Sequence, residues 1–290
     1  MTRIGNQLKT VLLMTVLSGF VLGAGALVAP GSMYVFVGLA ILMNVGTYWF
    51  SDRIVLRMNG ARELPQQEAP ELHQMVAELA LRAGIPKPRL FLIDEPYANA
   101  FATGRNPAHG VVAVTSGIVR ILTPRQLRGV LAHEIGHIAN RDILLSTIAA
   151  SMAAVLSYLA HALSFAGLFG SSQSDEEDQP SPLASLFFLF AAPLIGTLIQ
   201  LGISRSREYL ADQTGATISG DPEALAQALE RLEQAAGVMP AEAAPATASL
   251  FIVNPLSAGA TMMRLFSTHP PIEERARRLR MMAQPQRAAA

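Results

Sequence analysis

Two histidines and one glutamate within residues 131–140 have the spacing that most clearly indicates chemistry. His133, Glu134 and His137 follow the pattern H-E-x-x-H. Positions four apart lie on one face of an α-helix, so both imidazoles can bind a single ion with the carboxylate beside them. Zinc accepts such a pair of ligands, and the intervening glutamate can act as a general base. The motif therefore predicts a zinc-peptidase site if the rest of the chain supplies a helix and a third ligand.

Composition narrows the class of protein. The 290 residues are 51% hydrophobic and 15% charged, with a mean hydropathy of +0.33, which indicates membrane segments joined to a soluble domain. A formal net charge of zero argues against nucleic-acid binding through a basic field. The absence of cysteine excludes disulfides, thiolate metal sites and cysteine nucleophiles. Histidine, aspartate and glutamate must therefore hold any metal.

The metal-binding helix is expected to begin at a capping box. Thr123 and Gln126 stand at the N-cap and N3 positions, and Pro124 occupies the first helical position. The soluble segment 51–142 also carries the patterns of a surface helix and a small sheet. These predicted elements are a helix over 70–82 and strands over 89–93, 99–104 and 110–115.

Apolar stretches near the N-terminus predict a transmembrane hairpin over residues 1–50. The first stretch, 11–29, could cross about 28 Å of hydrocarbon, and the second, 33–50, follows after three residues. The basic residues Arg3 and Lys9 would also suit a signal peptide. A second apolar run so close to the first favours a hairpin that stays attached.

A second transmembrane hairpin is predicted over residues 143–203. Its two apolar stretches flank an acidic segment, 171–182, which is expected to be a solvated external loop. No stop signal follows Asp142, so the metal-binding helix is expected to continue directly into the third membrane segment. His161 lies within that segment, and we interpret it as a packing residue and not as a ligand.

The third metal ligand is predicted to be Glu208, in the charged segment after the second hairpin. A catalytic zinc takes three protein ligands and leaves a position for water. Asp212 falls four residues later on the same helical face, where it could accept a hydrogen bond from either histidine and fix its tautomer. The alternative is that both carboxylates pair with Arg205 and Arg207 in a charge cluster at the membrane boundary.

The C-terminal segment, 204–290, is predicted to be soluble and mostly helical. One helix is expected to start at Asp221-Pro222, and the last is expected to start after His269-Pro270-Pro271. This last helix carries four arginines that are predicted to face solvent or lipid headgroups. They are Arg275, Arg277, Arg278 and Arg280.

The distribution of basic residues predicts the topology. All 22 lysines and arginines fall in the N-terminal tail, in 51–142 or in 204–290. The positive-inside rule then places both termini and both soluble segments in the cytoplasm, and the two short loops outside.

Taken together, these motifs resemble the M48 family of zinc metallopeptidases. The resemblance rests on 133–137, 204–212, 99–104 and 267–271, and it extends over essentially the whole chain. It implies a mainly α membrane protein in which four transmembrane helices carry a cytosolic α+β, zincin-like metalloprotease domain with a small β-sheet. It also implies one zinc ion per subunit, a location in the bacterial cytoplasmic membrane, and damaged or unfolded membrane proteins as substrates.

The expected mechanism assigns a role to each candidate residue. His133, His137 and Glu208 would hold zinc, and Glu134 would take a proton from water and deliver it to the leaving amine. Further groups could stabilise the developing oxyanion. These candidates are His269, Tyr209, Arg205 and Arg207.

Substrate is expected to pair with the strand that precedes the motif. An edge strand beside the metal-binding helix could bind an extended peptide through its backbone, whatever the peptide's sequence. The alternative is an ordinary interior strand. The residues concerned are Asn99, Ala100, Phe101, Ala102 and Thr103.

Two other functions stay open. The first is a prenyl-protein peptidase, because eukaryotic relatives in the family cut after isoprenylated cysteine, although their enclosed chamber has more than four membrane helices. The second is a membrane scaffold or chaperone whose zinc is only structural. Glu134 discriminates the second case, since a structural site needs no general base.

Overall fold

A computed structural model describes residues 3–28, 30–153, 205–238, 250, 252 and 270–287. The predictions for His161, His269, the acidic loop 171–182 and the fourth apolar stretch lie outside the described residues.

The N-terminal hairpin is formed by two helices of equal length. Helix α1, Arg3–Val28, and helix α2, Met33–Met58, are joined through a single 3₁₀ turn, Pro30–Ser32. The side-chain amide of Asn44 donates a hydrogen bond of 2.7 Å to the hydroxyl of Ser18 across the pair. Both predicted helices are confirmed, and α2 extends eight residues beyond its predicted end into a charged segment.

Helix α2 is a candidate membrane span. Within the described part of the chain it is the one helix whose length and composition suffice to cross a bilayer, with a mean hydropathy of 1.5 and most of its apolar surface exposed. Two further apolar helical stretches, Leu8–Gly23 and Ile143–Ala153, are shorter. The described residues thus contain one candidate span, and the four predicted spans remain a prediction.

A four-stranded sheet precedes the H-E-x-x-H motif. Its strands are β1 (Arg62–Glu63), β2 (Arg89–Ile93), β3 (Ala100–Thr103) and β4 (Val111–Thr115), in the spatial order β1-β2-β4-β3. Strands β2 and β4 are parallel, and the other two pairings are antiparallel. The three predicted strands are confirmed with small shifts of their ends, whereas β1 was not predicted. Among the described strands β3 is the last in the order, which agrees with the edge-strand alternative.

The helices after the N-terminal hairpin contribute to one main apolar core, with the metal-motif helix at its centre. This helix, α5, contacts β3 and three other helices, and its inner residues Val130, Leu131 and Ile135 are fully buried. The helices are α3 (Pro70–Arg82), α4 (Ser116–Ile121), α5 (Pro124–Ala139), α6 (Ile143–Ala153), α7 (Arg205–Ser219), α8 (Pro222–Val238) and α9 (Ile272–Arg287). Helix α3 and the starts of α8 and α9 are as predicted.

The junction after the metal-binding helix corrects one prediction. Helix α5 does not continue into the third apolar stretch; it ends at Ala139 with Asn140 as its C-cap. Arg141 follows in the left-handed conformation, with φ of 58°, and α6 starts at Ile143. A stop signal is missing from the sequence because glycine usually occupies this left-handed position, and here an arginine does.

Candidate metal centre

Helix α5 presents both histidines of the motif to one point. The predicted capping box forms, since Thr123 accepts from the backbone of Gln126 and the Gln126 side chain accepts from the backbone of Thr123. His133 and His137 are one helical turn apart on the buried face of α5, and their Nε2 atoms lie 3.1 Å from each other. The metal motif is therefore on a helix, as its chemistry requires.

Helix α7 brings the predicted third ligand to the same point. Glu208 Oε1 lies 3.5 Å from His137 Nε2, and Glu208 Oε2 lies 3.8 Å from His133 Nε2. One ligand atom from each of the three residues falls within 4.8 Å of the other two. Glu208 is thus a member of the site, and not only of a charge cluster at the membrane boundary.

A separate carboxylate holds the far nitrogen of each histidine. Asp212 Oδ1 lies 2.9 Å from Nδ1 of His133, which is one of the two pairings that the sequence allowed. Both carboxylate oxygens of Asp142 lie 3.2 Å from Nδ1 of His137. In the neutral rings, protons on Nδ1 donate to these carboxylates and leave the lone pairs on Nε2. Two lone pairs 3.1 Å apart repel each other unless a metal ion or a shared proton lies between them.

The spacing of these atoms fits zinc. Two ligand atoms at about 2.05 Å from one tetrahedral zinc ion are about 3.3 Å apart. Here the two histidine Nε2 atoms are 3.1 Å apart, and they lie 3.5 and 3.8 Å from the oxygens of Glu208. The two imidazoles and one carboxylate also match the ligand types that zinc takes when it keeps a position open for catalysis.

The charge of the site also favours a bound cation. The described residues around the two histidines include four buried carboxylates and two buried guanidinium groups, which carry a formal net charge of −2. One divalent cation neutralises that charge. Burial opposes protonation of His137, yet the carboxylates of Asp142, Glu208 and Glu134 outweigh it and raise the pKa of this ring to about 10. The buried charged residues are Glu134, Asp142, Glu208, Asp212, Arg207 and Arg275.

Arg275 corrects the prediction for the last helix. It was expected to face solvent or lipid, but its side chain is 0% exposed. Its Nε and Nη2 atoms donate to the two oxygens of Asp212 at 2.8 and 2.7 Å, and Nη1 lies 3.5 Å from Glu208 Oε2. Burial opposes ionisation of Asp212, but the charge and hydrogen bonds of Arg275 hold the pKa of this carboxyl at about 2. Helix α9 thus completes the shell around the metal centre.

Glu134 lies between the histidines and the edge strand. Its side chain is buried, with 2% of the residue exposed, and its carboxylate accepts a hydrogen bond from the backbone N–H of Ala102. Burial raises the pKa of Glu134, although the neighbouring histidines partly offset the shift. Because Glu134 lies outside the three-residue ligand cluster, it is available as a base.

The outer edge of β3 runs past this glutamate. All four residues of β3 lie opposite residues of β4, and the backbone groups of Ala100 and Ala102 that bond to Ile252 and Glu134 face outwards. Ala100 O accepts a hydrogen bond of 3.2 Å from Ile252 N–H, and Asn99 Oδ1 accepts from the same N–H at 3.1 Å. The end of the edge at Asn99 and Ala100 is therefore covered by the chain itself, while the part beside Ala102 adjoins Glu134.

The candidates for oxyanion stabilisation have different surroundings. Arg207 is buried near Asp142 and Glu208, and burial lowers the pKa of its guanidinium. Arg205 is exposed. Tyr209 is half-buried, and Arg278 lies over its ring at 3.8 Å from the centroid. Arg207 thus lies beside two carboxylates of the site, whereas Tyr209 packs against Arg278 of α9 and Arg205 is exposed.

A glycine on α7 sets the distance between the helices that carry the ligands. A Cβ atom at Gly215 would lie 2.8 Å from His133 N, and a Cβ atom at Gly129 would lie 2.8 Å from Leu225 N on α8. We expect Gly215→Ala to destabilise the fold by about 1–3 kcal/mol and to weaken zinc binding, because α7 must move away from His133. Gly129→Ala is the matched control, since it forces apart α5 and a helix without ligands. Equal zinc affinity of the two variants would contradict this expectation.

Comparison with known proteins agrees with the geometry. The model of the family described as "Peptidase family M48" matches residues 66–283. A "Protease HtpX homolog" from Syntrophobacter fumaroxidans is 52% identical over 283 residues, covering 96% of this chain and 100% of the relative. Proteins with the same description from Sulfurihydrogenibium sp. and Persephonella marina are each 51% identical, over 96% of this chain and 96% and 98% of their own length.

A solved structure shares the fold. The crystal structure of S. mikatae Ste24p matches with a TM-score of 0.50 and 22% sequence identity, covering 95% of this chain. The chain spans 66% of the length of that structure, and the likeness concerns the fold alone. The family match and the full-length relatives identify the activity. The chain belongs to peptidase family M48 and is a metalloprotease.

Proposed function

We propose that this metalloprotease is a zinc-dependent endopeptidase of the bacterial cytoplasmic membrane. In this proposal it cleaves damaged or unfolded membrane proteins from the cytosolic side, as part of quality control under stress. The observation that carries the proposal is the convergence of His133, His137 and Glu208 beside a buried Glu134. Similarity to proteins described as HtpX proteases over nearly the full chain supports it.

The residues of the site would have three roles in hydrolysis: metal binding, orientation of the ligands and proton transfer. His133, His137 and Glu208 would hold one zinc ion, and Asp212 and Asp142 would keep the two rings in the binding orientation. When bound, zinc supplies a Lewis acid that polarises a carbonyl and makes water more acidic. Glu134 would accept the proton of the attacking water and transfer it to the leaving nitrogen.

The wall of the site would hold the reacting carbonyl. Arg207 remains a candidate for stabilising its negative charge, because it is buried beside Asp142 and Glu208. Tyr209 stays a candidate from the sequence. His269 stays a further candidate from the sequence. The exposed Arg205 is the weakest of the four.

An extended backbone is the expected form of the substrate. A peptide that pairs with the outer edge of β3 near Ala102 would pass beside Glu134 and would displace its carboxylate from the N–H of Ala102. Backbone pairing places no demand on side-chain identity. Unfolded segments of many proteins would therefore serve as substrates, whereas a folded protein offers no free strand.

The charges at the end of α2 support a cytosolic position. Trp49 and Phe50 are exposed on this helix, and the basic residue Arg53 follows them, in the order expected at a membrane interface. Arg105 of the soluble part lies 4.5 Å over the ring of Trp49, so the protease domain adjoins this end of the helix. By the positive-inside rule, that end faces the cytosol.

We expect cleavage to require bound zinc and a substrate on the cytosolic side of the membrane. Inverted inner-membrane vesicles that contain the chain should cleave added casein and an unfolded membrane protein, and sealed right-side-out vesicles should not. Removal of zinc by 1,10-phenanthroline should abolish cleavage, and added zinc should restore it. Fluorescence of released fragments measures the rate.

Each alternative predicts a different result in the same assay. Preferential cleavage of a farnesylated peptide would identify a prenyl-protein peptidase. Bound zinc without cleavage of any substrate would indicate a scaffold with a structural metal. Cleavage by right-side-out vesicles alone would place the active site on the external face.

A further inference from the structure

The turn between α5 and α6 brings an aspartate back onto the metal-binding helix. Arg141 N–H donates to Ile138 O at 3.1 Å, and Asp142 N–H donates to His137 O at 3.4 Å. These two bonds, with Arg141 in the left-handed conformation, form a Schellman motif. Its geometry reverses the chain so that the carboxylate of Asp142 meets the ring of His137.

The contact between Asp142 and His137 is buried and specific. Only 3% of Asp142 is exposed, and both of its oxygens lie 3.2 Å from Nδ1 of His137. This carboxylate therefore fixes the ring so that Nε2 points at the metal position. Asp142 thus orients His137 in the way that Asp212 orients His133. Asp212 belongs to the helix of the third ligand, whereas Asp142 precedes the apolar helix α6.

A second side chain of α6 holds the edge strand. The hydroxyl of Thr147 donates to Ile143 O at 2.6 Å, so its oxygen is free to accept. It lies 3.0 Å from the hydroxyl of Thr103 and 3.3 Å from the backbone N–H of Gly104. All of these groups are buried. Thr147 thus fixes the position at which β3 ends.

The opposite side of α6 packs against the N-terminal hairpin. A buried apolar cluster joins this helix to α1 and α2, the candidate span. A second cluster joins Ala150 of α6 to the sheet, including Phe101 of β3. The cluster between α6 and the N-terminal hairpin includes Leu13 and Leu17 of α1, Ala40 of α2, and Leu145, Ile148 and Met152 of α6.

We propose that the segment from Asp142 through α6 positions both the metal centre and the substrate-binding strand. Asp142 orients His137 for the metal, and Thr147 holds β3 at Thr103. Because α6 is itself held by α1 and α2, the packing of the membrane-anchoring helices sets the geometry of the active site. This inference rests on the zinc-peptidase function proposed above.

The first experiment measures zinc affinity in the full chain purified in detergent. Asp142→Ala is expected to weaken zinc binding by about 10–100-fold, and Asp142→Asn, which keeps an acceptor, by less. A chromogenic chelator reports the dissociation constant. Asp142 also precedes a helix, so the matched control is Asp221→Ala, which removes an aspartate that accepts from Ala224 N–H at the start of α8 and pairs with Arg125 in the first turn of α5, about two turns before His133. The control should lose thermal stability and keep wild-type zinc affinity.

The second experiment separates substrate binding from metal binding. Thr147→Val is expected to raise KM for an unfolded substrate by about fivefold, the value of one hydrogen bond, with unchanged zinc affinity. Thr147→Ser should restore KM. The control is Ser151→Ala, which removes another buried hydroxyl of α6, one that among the described residues bonds to Ile148 O of its own helix, and should leave KM unchanged.

The outcomes distinguish this inference from the proposed function. A wild-type chain that binds zinc and cleaves, with Asp142→Ala at wild-type zinc affinity, would overturn the role of Asp142. Equal KM values for Thr147→Val and Ser151→Ala would overturn the role of Thr147. A wild-type chain that binds no zinc or cleaves nothing would instead refute the proposed function.

Discussion

Replacement of Glu134 by glutamine is expected to abolish peptide cleavage and to leave zinc bound. The residue lies outside the ligand cluster of His133, His137 and Glu208, so its charge is not needed to hold the ion. Glutamine keeps the shape of the buried side chain but cannot accept a proton. Loss of a general base lowers kcat by about 10²–10⁴-fold. Zinc content by elemental analysis and the cleavage rate of casein in detergent measure the two quantities.

A ligand variant is the control for this result. Glu208→Gln removes a charged ligand from the site, and it should lose zinc together with activity. Normal cleavage by Glu134→Gln would refute the assignment of Glu134 as the base. Loss of zinc in both variants would mean that Glu134 supports the metal and not the proton transfer. A structural metal site would show no dependence on Glu134 beyond folding.

The parts of the site that depend on short-range spacing could be predicted from the sequence. The capping box at Thr123 fixes the start of α5, and four-residue spacing places His133 and His137 on one face. The same spacing relates Glu208 to Asp212 on α7. In each case the relevant residues belong to one helix, so periodicity alone determines their geometry.

The residues that the sequence did not reveal act across the fold. Asp142 reaches His137 only because Arg141 adopts a left-handed conformation, for which an arginine gives no signal. Arg275 meets Asp212 across 63 positions of the sequence, and its arginine-rich neighbourhood indicated a solvated surface. One pattern could have revealed it: in α9, Arg275 falls on the same helical face as the buried Ala276 and Leu279. A charge on an apolar face needs a buried partner.

Replacement of Arg275 by methionine is expected to be the most destabilising single change in this shell. The side chain is 0% exposed and donates two hydrogen bonds to Asp212. Removing one partner of a buried ion pair leaves the other charge uncompensated, which costs about 3–5 kcal/mol. The loss should also weaken zinc binding, because Asp212 then no longer holds His133 in one orientation. Denaturant unfolding of the zinc-free chain and chelator competition measure the two effects.

The chain offers an internal control for this prediction on the same helix. Arg277 pairs with Glu274 at 2.6 Å, but its side chain is 66% exposed, so Arg277→Met should change stability by less than about 1 kcal/mol. Arg275→Lys should fall between the two methionine variants, because lysine keeps the charge and loses the two-pronged bond to Asp212. If Arg275→Met were no more destabilising than Arg277→Met, the buried ion pair would have no structural role. If it were destabilising with wild-type zinc affinity, Arg275 would support the fold without orienting His133.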